Sequence, residues 1–106
     1  MKLIVSEAAT TEIGQAADWF ESQQSGLGEA FHQAVKRTLE SLLNAPESYA
    51  RYEFVTSRRW PNLRRAIEQR FSYVIVFDVR DDDVVIVAVH HSSRRPGFWF
   101  KRRLSI

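Results

Sequence analysis

Two apolar runs in the last third of the chain constrain the fold most strongly. Tyr73–Val79 and Val84–His90 consist mainly of valine, isoleucine and aromatic residues, which are the residues enriched in β-strands. The short segment Arg80–Asp83 separates them, and so short a connection joins antiparallel strands. Because both runs are apolar at nearly every position, we expect both faces of the resulting sheet to be covered.

The first half of the chain predicts one strand and a pair of helices. Leu3–Val5 is a short apolar run, and Ser6 can cap a helix that follows it. Apolar residues then recur at helical spacing, first at Ala9, Ile13, Ala16, Ala17 and Phe20, and then at Leu27, Phe31, Ala34, Val35, Leu39, Leu42 and Leu43. The second helix should end near Asn44–Pro46, because the residue before a proline avoids the helical region. Two helices joined by a short link form an antiparallel hairpin. A hairpin can cover one face of a sheet, so the C-terminal tail or a partner chain should cover the other face.

The middle of the chain predicts shorter elements. Tyr52–Val55 reads as a short strand, Thr56–Asn62 as a loop and Leu63–Gln69 as a strand. The sequence contains no internal repeat, low-complexity tract or linker. A length of 106 residues is enough for one hydrophobic core and not for two. We therefore expect residues 1–106 to form a single domain.

Composition excludes several classes of protein and site. The chain has no cysteine, which excludes disulfides and zinc sites built on thiolates, and we expect neither a metal ion nor a cofactor. No apolar run approaches the ~18 residues needed to cross a bilayer. The N-terminus lacks the apolar stretch of a signal peptide. These observations predict a cytoplasmic protein without a membrane partner.

The charges are distributed unevenly between the two halves of the chain. Residues 1–50 carry three basic and seven acidic side chains, whereas residues 51–106 carry twelve basic and six acidic ones. Eleven of these twelve basic residues are arginine, whose planar guanidinium suits bidentate binding of phosphate or carboxylate. The second half is therefore expected to face an anionic partner, either a nucleic acid or an acidic protein segment.

The order and spacing of these segments resemble the RelE/ParE superfamily of bacterial toxins, and its ParE-like (plasmid stabilisation) branch most closely. The resemblance covers nearly the whole chain, with Ser72 standing where the family commonly has proline. The segments that carry it are Ala17–Gln24, Gly26–Gly28, Phe31, Leu42–Pro46, Leu63–Arg65, Phe71–Phe77, Val84–His90 and Arg94–Trp99.

This resemblance implies a small α+β fold. An N-terminal strand and a two-helix hairpin would pack on a small antiparallel sheet that is followed by a short basic tail. It also implies the toxin half of a type II toxin–antitoxin module, whose cognate antitoxin is a separate and usually acidic protein. The resemblance therefore predicts a hetero-oligomer in which a segment of the antitoxin covers the open face of the sheet.

Members of the superfamily have one of two activities, and the residues of this chain can indicate which of the two it has. RelE-like members cut mRNA on the ribosome, whereas ParE-like members are known for inhibiting DNA gyrase. Metal-free RNA cleavage needs a base, an acid and cations that stabilise the charged phosphorane. The candidates for a metal-independent endoribonuclease of this kind are Arg65, His90, His91 and Arg94.

Three features favour the gyrase inhibitor over the nuclease. His90 and His91 are adjacent in a predicted strand, so they should point to opposite faces and only one can serve a given site. RNA-cutting relatives carry a tyrosine or histidine near the C-terminus, whereas Phe98–Arg103 offers no titratable acid or base apart from permanent cations. The long helical hairpin also fits the ParE-like branch better.

A basic nucleic-acid-binding module remains a third alternative, in which arginines track phosphates and binding weakens steeply with salt. Under the toxin hypothesis, the same basic and aromatic residues would contact the target or the antitoxin. These predicted contact residues are Arg58, Arg59, Trp60, Arg64, Arg65, Arg70, His91, Arg94, Arg95, Phe98 and Trp99.

Overall fold

Two helices pack on one face of a four-stranded sheet in the computed structural model, which describes residues 1–53 and 60–100. In chain order the elements are β1 (Lys2–Val5), α1 (Glu7–Gln23), α2 (Leu27–Asn44), a 3-10 turn (Pro46–Ser48), β2 (Leu63–Glu68), β3 (Tyr73–Arg80) and β4 (Asp83–His91). The strands lie in the order β1-β4-β3-β2. The predicted α+β class is confirmed. The sheet is mixed rather than wholly antiparallel, because β1 joins β4 in parallel.

Local sequence signals set the ends of both helices. The Ser6 hydroxyl accepts a hydrogen bond from the Ala9 amide at 3.1 Å, which confirms the predicted N-cap of α1. Helix α2 starts after Gly26, whose φ of 90° is left-handed and suits glycine. A Cβ atom on Gly28 would lie 2.9 Å from the Ala17 carbonyl oxygen. The two helices can therefore approach this closely only because residue 28 has no side chain.

The cap of α2 comes from α1 rather than from the residue that precedes α2. The Glu21 carboxylate accepts hydrogen bonds from the Gly26 amide at 3.1 Å and from the Gly28 amide at 2.9 Å. These bonds, that from Gly26 contributing most, lower the pKa of Glu21 below its usual 4.5. A carboxylate at this position also complements the positive end of the α2 dipole.

The depressed pKa of Glu21 predicts a specific pH dependence of stability. The charged carboxylate is stabilised more in the folded state than in the unfolded state. Glu21 therefore adds to the free energy of unfolding above about pH 4.5, and this stabilisation is lost as the pH falls through the pKa of the folded state. Glu21→Gln should therefore be less stable than the wild type at pH 7, and the difference should shrink towards pH 3. Urea unfolding at both pH values measures it, with Glu40→Gln on the exposed side of α2 as the control. A difference that is the same at both pH values would contradict this account.

The helical hairpin covers one face of the sheet, here called the helix face. Buried residues from both helices and from three strands form its core, and they include Ala9, Ala17, Phe31, Val35, Leu42, Ala66, Ile75, Phe77, Val84, Ile86 and Val89. Four aromatic rings meet near the end of α1, where Phe31 lies 5.2 Å from Phe20, 5.4 Å from Phe71 and 4.8 Å from Tyr73 between ring centroids. These rings join α1, α2 and β3.

The opposite face of the sheet, here called the far face, is covered by the chain itself. Its buried cluster consists of Tyr52, Trp60, Leu63, Val74, Val76, Val87, Ala88 and Trp99, with Phe98 and Phe100 packed against it. Of the two predicted covers, the C-terminal tail is therefore confirmed. The expectation that an antitoxin supplies the missing cover of the sheet is wrong, because the aromatic tail already buries this face.

A β-bulge interrupts the pairing of β3 with β4. Val76 lies opposite Ala88, but the next residue, Phe77, lies opposite Ile86. Val87 is therefore an extra residue in β4, and both Val87 and Ala88 belong to the far-face cluster.

The prediction of a strand over Tyr52–Val55 is wrong for the two residues of this segment that the structure describes. Neither Tyr52 nor Glu53 lies in a strand. The chain makes only an isolated bridge there, between Arg51 and Arg64. Two backbone hydrogen bonds flank this bridge, from the Tyr52 amide to the Leu63 carbonyl at 3.0 Å and from the Arg65 amide to the Ala50 carbonyl at 2.9 Å.

The remainder of that predicted strand, Phe54 and Val55, lies outside the described residues, as does most of the predicted loop, 56–59. In the part of the chain that the structure describes, neither α1 nor α2 combines the length and the apolar character needed to cross a membrane.

Candidate functional site

The two adjacent histidines at the end of β4 lie on opposite faces of the sheet, as predicted. The His90 ring contacts the Phe98 ring edge-on on the far face, with 5.1 Å between centroids. The His91 ring contacts Tyr73 edge-on on the helix face, at 5.6 Å. The two imidazole rings therefore lie on opposite faces of the sheet.

The far-face cleft, here called the basic cleft, has a volume of about 240 Å³. It is lined by Tyr52, Arg65, Ile67, Val74, His90, Ser92, Arg94 and Pro96. Three of the four nuclease candidates, Arg65, His90 and Arg94, thus come together although they lie on different elements. Strand alternation brings Arg65 to this face, and the loop after β4 brings Arg94.

Tyr52 is a titratable residue of this cleft that the sequence reasoning missed. Its phenol oxygen accepts a hydrogen bond from the Gly97 amide at 2.9 Å, and its ring lies 5.5 Å from Trp99. Tyr52 reaches the cleft because residues 50–52 pair alongside β2, and only a prediction of that pairing would have placed it there. Both Tyr52 and His90 are only 5% exposed. The acid and base candidates therefore lie in the wall of the cleft rather than in its opening.

Arg94, an exposed cation of the site, is held by an aromatic and a backbone contact. The Arg94 guanidinium lies 4.0 Å from the centroid of the Phe98 ring, a cation–π geometry. The Arg94 amide also donates to the His91 carbonyl at 3.0 Å. Arg94 and Arg95 are exposed and Phe98 is half-buried. This loop therefore presents two guanidinium groups beside the basic cleft.

A second cleft, here called the α1–β4 cleft, lies on the helix face and has a volume of about 300 Å³. Its lining includes Glu12, Gln15, Tyr73, His90, His91 and Arg94, so His90 lines both clefts. Glu12 accepts a hydrogen bond from the Val89 amide at 3.0 Å. Burial raises the pKa of Tyr73 above its usual 10.0, so its phenol stays protonated at neutral pH.

The tautomer of His91 follows from its neighbour in the loop. The Ser93 amide donates to Nδ1 of His91 at 3.1 Å, and the Ser93 hydroxyl lies 2.8 Å from the same nitrogen. Nδ1 is therefore an acceptor, and in neutral His91 the proton is on Nε2.

The other predicted contact residues are dispersed. Arg64 donates through Nη1 to the Tyr49 carbonyl at 2.8 Å, away from the basic cleft. The Arg70 guanidinium lies 5.0 Å from the centroid of the Phe71 ring. Trp60 and Trp99 are 4% and 1% exposed, so both serve the core of the far face. Arg58 and Arg59 lie outside the described residues.

The described acidic and histidine side chains do not gather in one place. Within residues 1–53 and 60–100, no three of them are arranged so that they could hold a metal ion.

Comparison with known proteins identifies relatives of this chain. A family model described as "ParE toxin of type II toxin-antitoxin system, parDE" matches residues 3–96. A solved structure, described as "Chromosomal ParDE TA system from P. aeruginosa", is similar in fold, with a TM-score of 0.64 and 18% sequence identity. The match covers 86% of this chain and 95% of that one. No curated protein matches the sequence significantly.

Proposed function

The chain belongs to the family of ParE toxins of type II toxin–antitoxin systems, and on that premise we propose that it inhibits DNA gyrase through protein–protein contact. Gyrase is the target for which the ParE-like branch is known, and it acts in the cytoplasm, where we propose that this toxin works as a single domain. The observation that carries the proposal is the character of the basic cleft. It combines exposed guanidinium groups with acid and base candidates that are only 5% exposed.

That combination suits binding better than proton transfer. A general base must come within hydrogen-bond reach of the proton that it removes, and a side chain in a cleft wall meets this requirement poorly. Exposed arginines and half-buried aromatic rings, in contrast, are enriched among the residues that carry binding energy at protein interfaces. Arg94, stacked on Phe98 at 4.0 Å, is such a pair.

Purified chain added to purified gyrase should inhibit the supercoiling of relaxed plasmid. Arg94→Ala should raise the concentration needed for half inhibition by about 5- to 30-fold, which corresponds to about 1 to 2 kcal/mol of lost contact energy. Lys36→Ala, which removes an exposed cation from α2, is the matched control and should leave inhibition unchanged. Supercoiling that is indifferent to the added wild-type chain would overturn the gyrase proposal.

A ribosome-dependent mRNA endonuclease is the second candidate, and one observation favours it. The fold brings Arg65, His90 and Arg94 into one cleft and adds the Tyr52 phenol, a titratable group of the kind that Phe98–Arg103 does not offer. This activity would leave cleaved transcripts and unchanged plasmid supercoiling in expressing cells. It would also be abolished by Tyr52→Phe or His90→Gln, whereas gyrase inhibition would survive both substitutions.

We also propose that a cognate antitoxin, a separate acidic protein, binds and neutralises the chain in a hetero-oligomer. The structural neighbour is described as a ParDE system, and the second half of this chain carries twelve basic side chains against six acidic ones. Co-expression of the protein encoded by the adjoining reading frame should abolish toxicity. Continued toxicity in its presence would contradict this pairing.

A further inference from the structure

The basic cleft gathers positive charge without a balancing negative charge. Among residues 1–53 and 60–100, its lining contains two arginines and no carboxylate. Arg65 comes from β2 and Arg94 from the loop after β4, and neither forms an ion pair with a described residue. Because like charges in one cleft repel each other, an anion bound between these guanidinium groups would be stabilised by both.

The donors of this cleft are ordered before any ligand arrives. The Arg94 guanidinium lies 4.0 Å from the centroid of the Phe98 ring, and a stacked guanidinium keeps its N–H edge for another partner. The Ser92 amide donates to the Ser72 carbonyl at 2.8 Å, which ties the loop to the start of β3. The backbone at Arg65 is held by the pairing of β2 with β3. Preorganised groups lower the entropic cost of binding.

The number of donors favours a phosphomonoester over other anions. A phosphomonoester carries a charge of about −1.5 to −2 at pH 7 and three acceptor oxygens, whereas a carboxylate or a phosphodiester carries one negative charge. Arginine binds phosphate oxygens through two parallel N–H bonds. The guanidinium groups of Arg65 and Arg94, together with the Ser92 hydroxyl, therefore match the charge and the oxygens of a terminal phosphate group.

An apolar wall next to these donors indicates what the phosphate is attached to. Ile67 and Val74 lie opposite each other in the pairing of β2 with β3, and Pro96 lines the same cleft. Ile67 is 43% exposed, so a ligand with an apolar ring would gain by covering it. The cleft volume of about 240 Å³ is below the range of about 300–1,000 Å³ that is usual for drug-sized ligands. The cleft therefore suits one small molecule.

We propose that the basic cleft binds a small phosphomonoester that carries an apolar ring and is of the size of a nucleoside monophosphate. The phosphate binds between Arg65 and Arg94, beside the Ser92 hydroxyl, and the ring covers Ile67. Arg94 is also the proposed contact with gyrase, so the ligand and gyrase compete for the same side chain. Only this competition rests on the proposed gyrase inhibition, because the binding itself needs no gyrase.

An NMR titration of the full chain with adenosine monophosphate (AMP), in a buffer free of phosphate, tests the site. AMP should shift the amide signals of Arg65, Ser92 and Arg94 in a saturable manner, because these residues line the cleft. The amides of Lys36 and Glu40, which are exposed on α2, are the internal controls and should not shift. The absence of a saturable shift at the three cleft residues would overturn the proposal.

Three further ligands separate the parts of the proposed binding mode. Adenosine, which lacks the phosphate, and inorganic phosphate, which lacks the ring, should each bind at least about 10-fold more weakly than AMP. The dinucleoside ApA, whose phosphate is a diester, should also bind at least about 10-fold more weakly. Adenosine or inorganic phosphate as tight as AMP would contradict the combined site. ApA as tight as AMP would assign the cleft to nucleic acid and overturn the proposal.

Variants of the two arginines test their role in affinity. Arg65→Gln and Arg94→Gln should each weaken AMP binding at least about 10-fold, because each removes charged hydrogen bonds to the phosphate. Arg65→Lys should recover part of the loss, since it keeps the charge but not the paired donors. Arg37→Gln makes the same change on the exposed side of α2 and should leave AMP binding unchanged. An equal loss in Arg37→Gln would indicate nonspecific attraction and overturn the site.

The supercoiling assay tests the competition separately. AMP at ten times its Kd should raise the concentration of chain needed for half inhibition by about 10-fold, because about a tenth of the chain then remains unliganded. Adenosine at the same concentration, and AMP added to gyrase without the chain, are the controls. AMP that binds the chain but leaves its inhibition unchanged overturns the competition. A chain that binds AMP but does not inhibit gyrase contradicts the proposed function and supports the phosphomonoester site.

Discussion

Replacing Trp99 with alanine should lower the free energy of unfolding by about 3 to 5 kcal/mol, as expected when a large aromatic side chain is removed from a core. Trp99 is 1% exposed and packs against Tyr52 with 5.5 Å between ring centroids. It belongs to the C-terminal tail, which covers the far face of β3 and β4. Its loss should therefore expose apolar strands as well as leave a cavity. Urea unfolding at neutral pH measures the effect.

Trp19→Ala is the control for the Trp99 variant, because it makes the same chemical change at a side chain that is 58% exposed. It should cost much less, since surface substitutions usually change stability by no more than about 0.5 kcal/mol. Equal losses in the two variants would show that the tail does not bury the far face. In that case the expectation of a partner covering this face would return.

Phe31→Ala should be comparably costly, at about 3 to 5 kcal/mol. Phe31 is fully buried and contacts the rings of Phe20, Phe71 and Tyr73, so its removal empties the centre of the aromatic cluster. Because these rings join the hairpin to the sheet, amides in α1 and α2 should also exchange faster in the variant. Thermal or urea unfolding and hydrogen exchange give the two readouts.

The neighbouring residue provides the control for Phe31. His32 is exposed on the same turn of α2, so His32→Ala should leave both the stability and the exchange of the helical amides near the wild-type values. If Phe31→Ala instead costs less than about 1 kcal/mol, the hairpin must be held to the sheet by contacts other than this cluster.

The parts of the fold that depend on near neighbours could be predicted. Ser6 and Pro46 mark helix ends through their own backbone and side-chain chemistry, so the limits of α1 and α2 follow from single residues. The runs that became β3 and β4 are mostly apolar and rich in β-branched residues, and no predicted limit of these two strands differs from the observed one by more than one residue. Alternation likewise predicted that His90 and His91 would separate.

The parts that depend on distant contacts could not be predicted. The parallel pairing of β1 with β4 joins residues about eighty positions apart. Tyr52 reaches the basic cleft only because residues 50–52 run beside β2. Trp60 and Trp99 looked like binding residues, because an aromatic beside arginines suits an interface as well as a core. Only the packed far face shows which of these roles they have here.

The extra valine in β4 decides which histidine lies on the far face with Arg65. In a regular strand Ile86 and His90, four residues apart, would share a face, and His90 would point towards the helices. One extra residue at Val87 shifts the alternation of every residue after it, so Ile86 remains under the helices while His90 enters the basic cleft with Arg65. Which of the two imidazoles lies beside Arg65 is thus determined at Val87, earlier in the strand, and not by the histidines themselves.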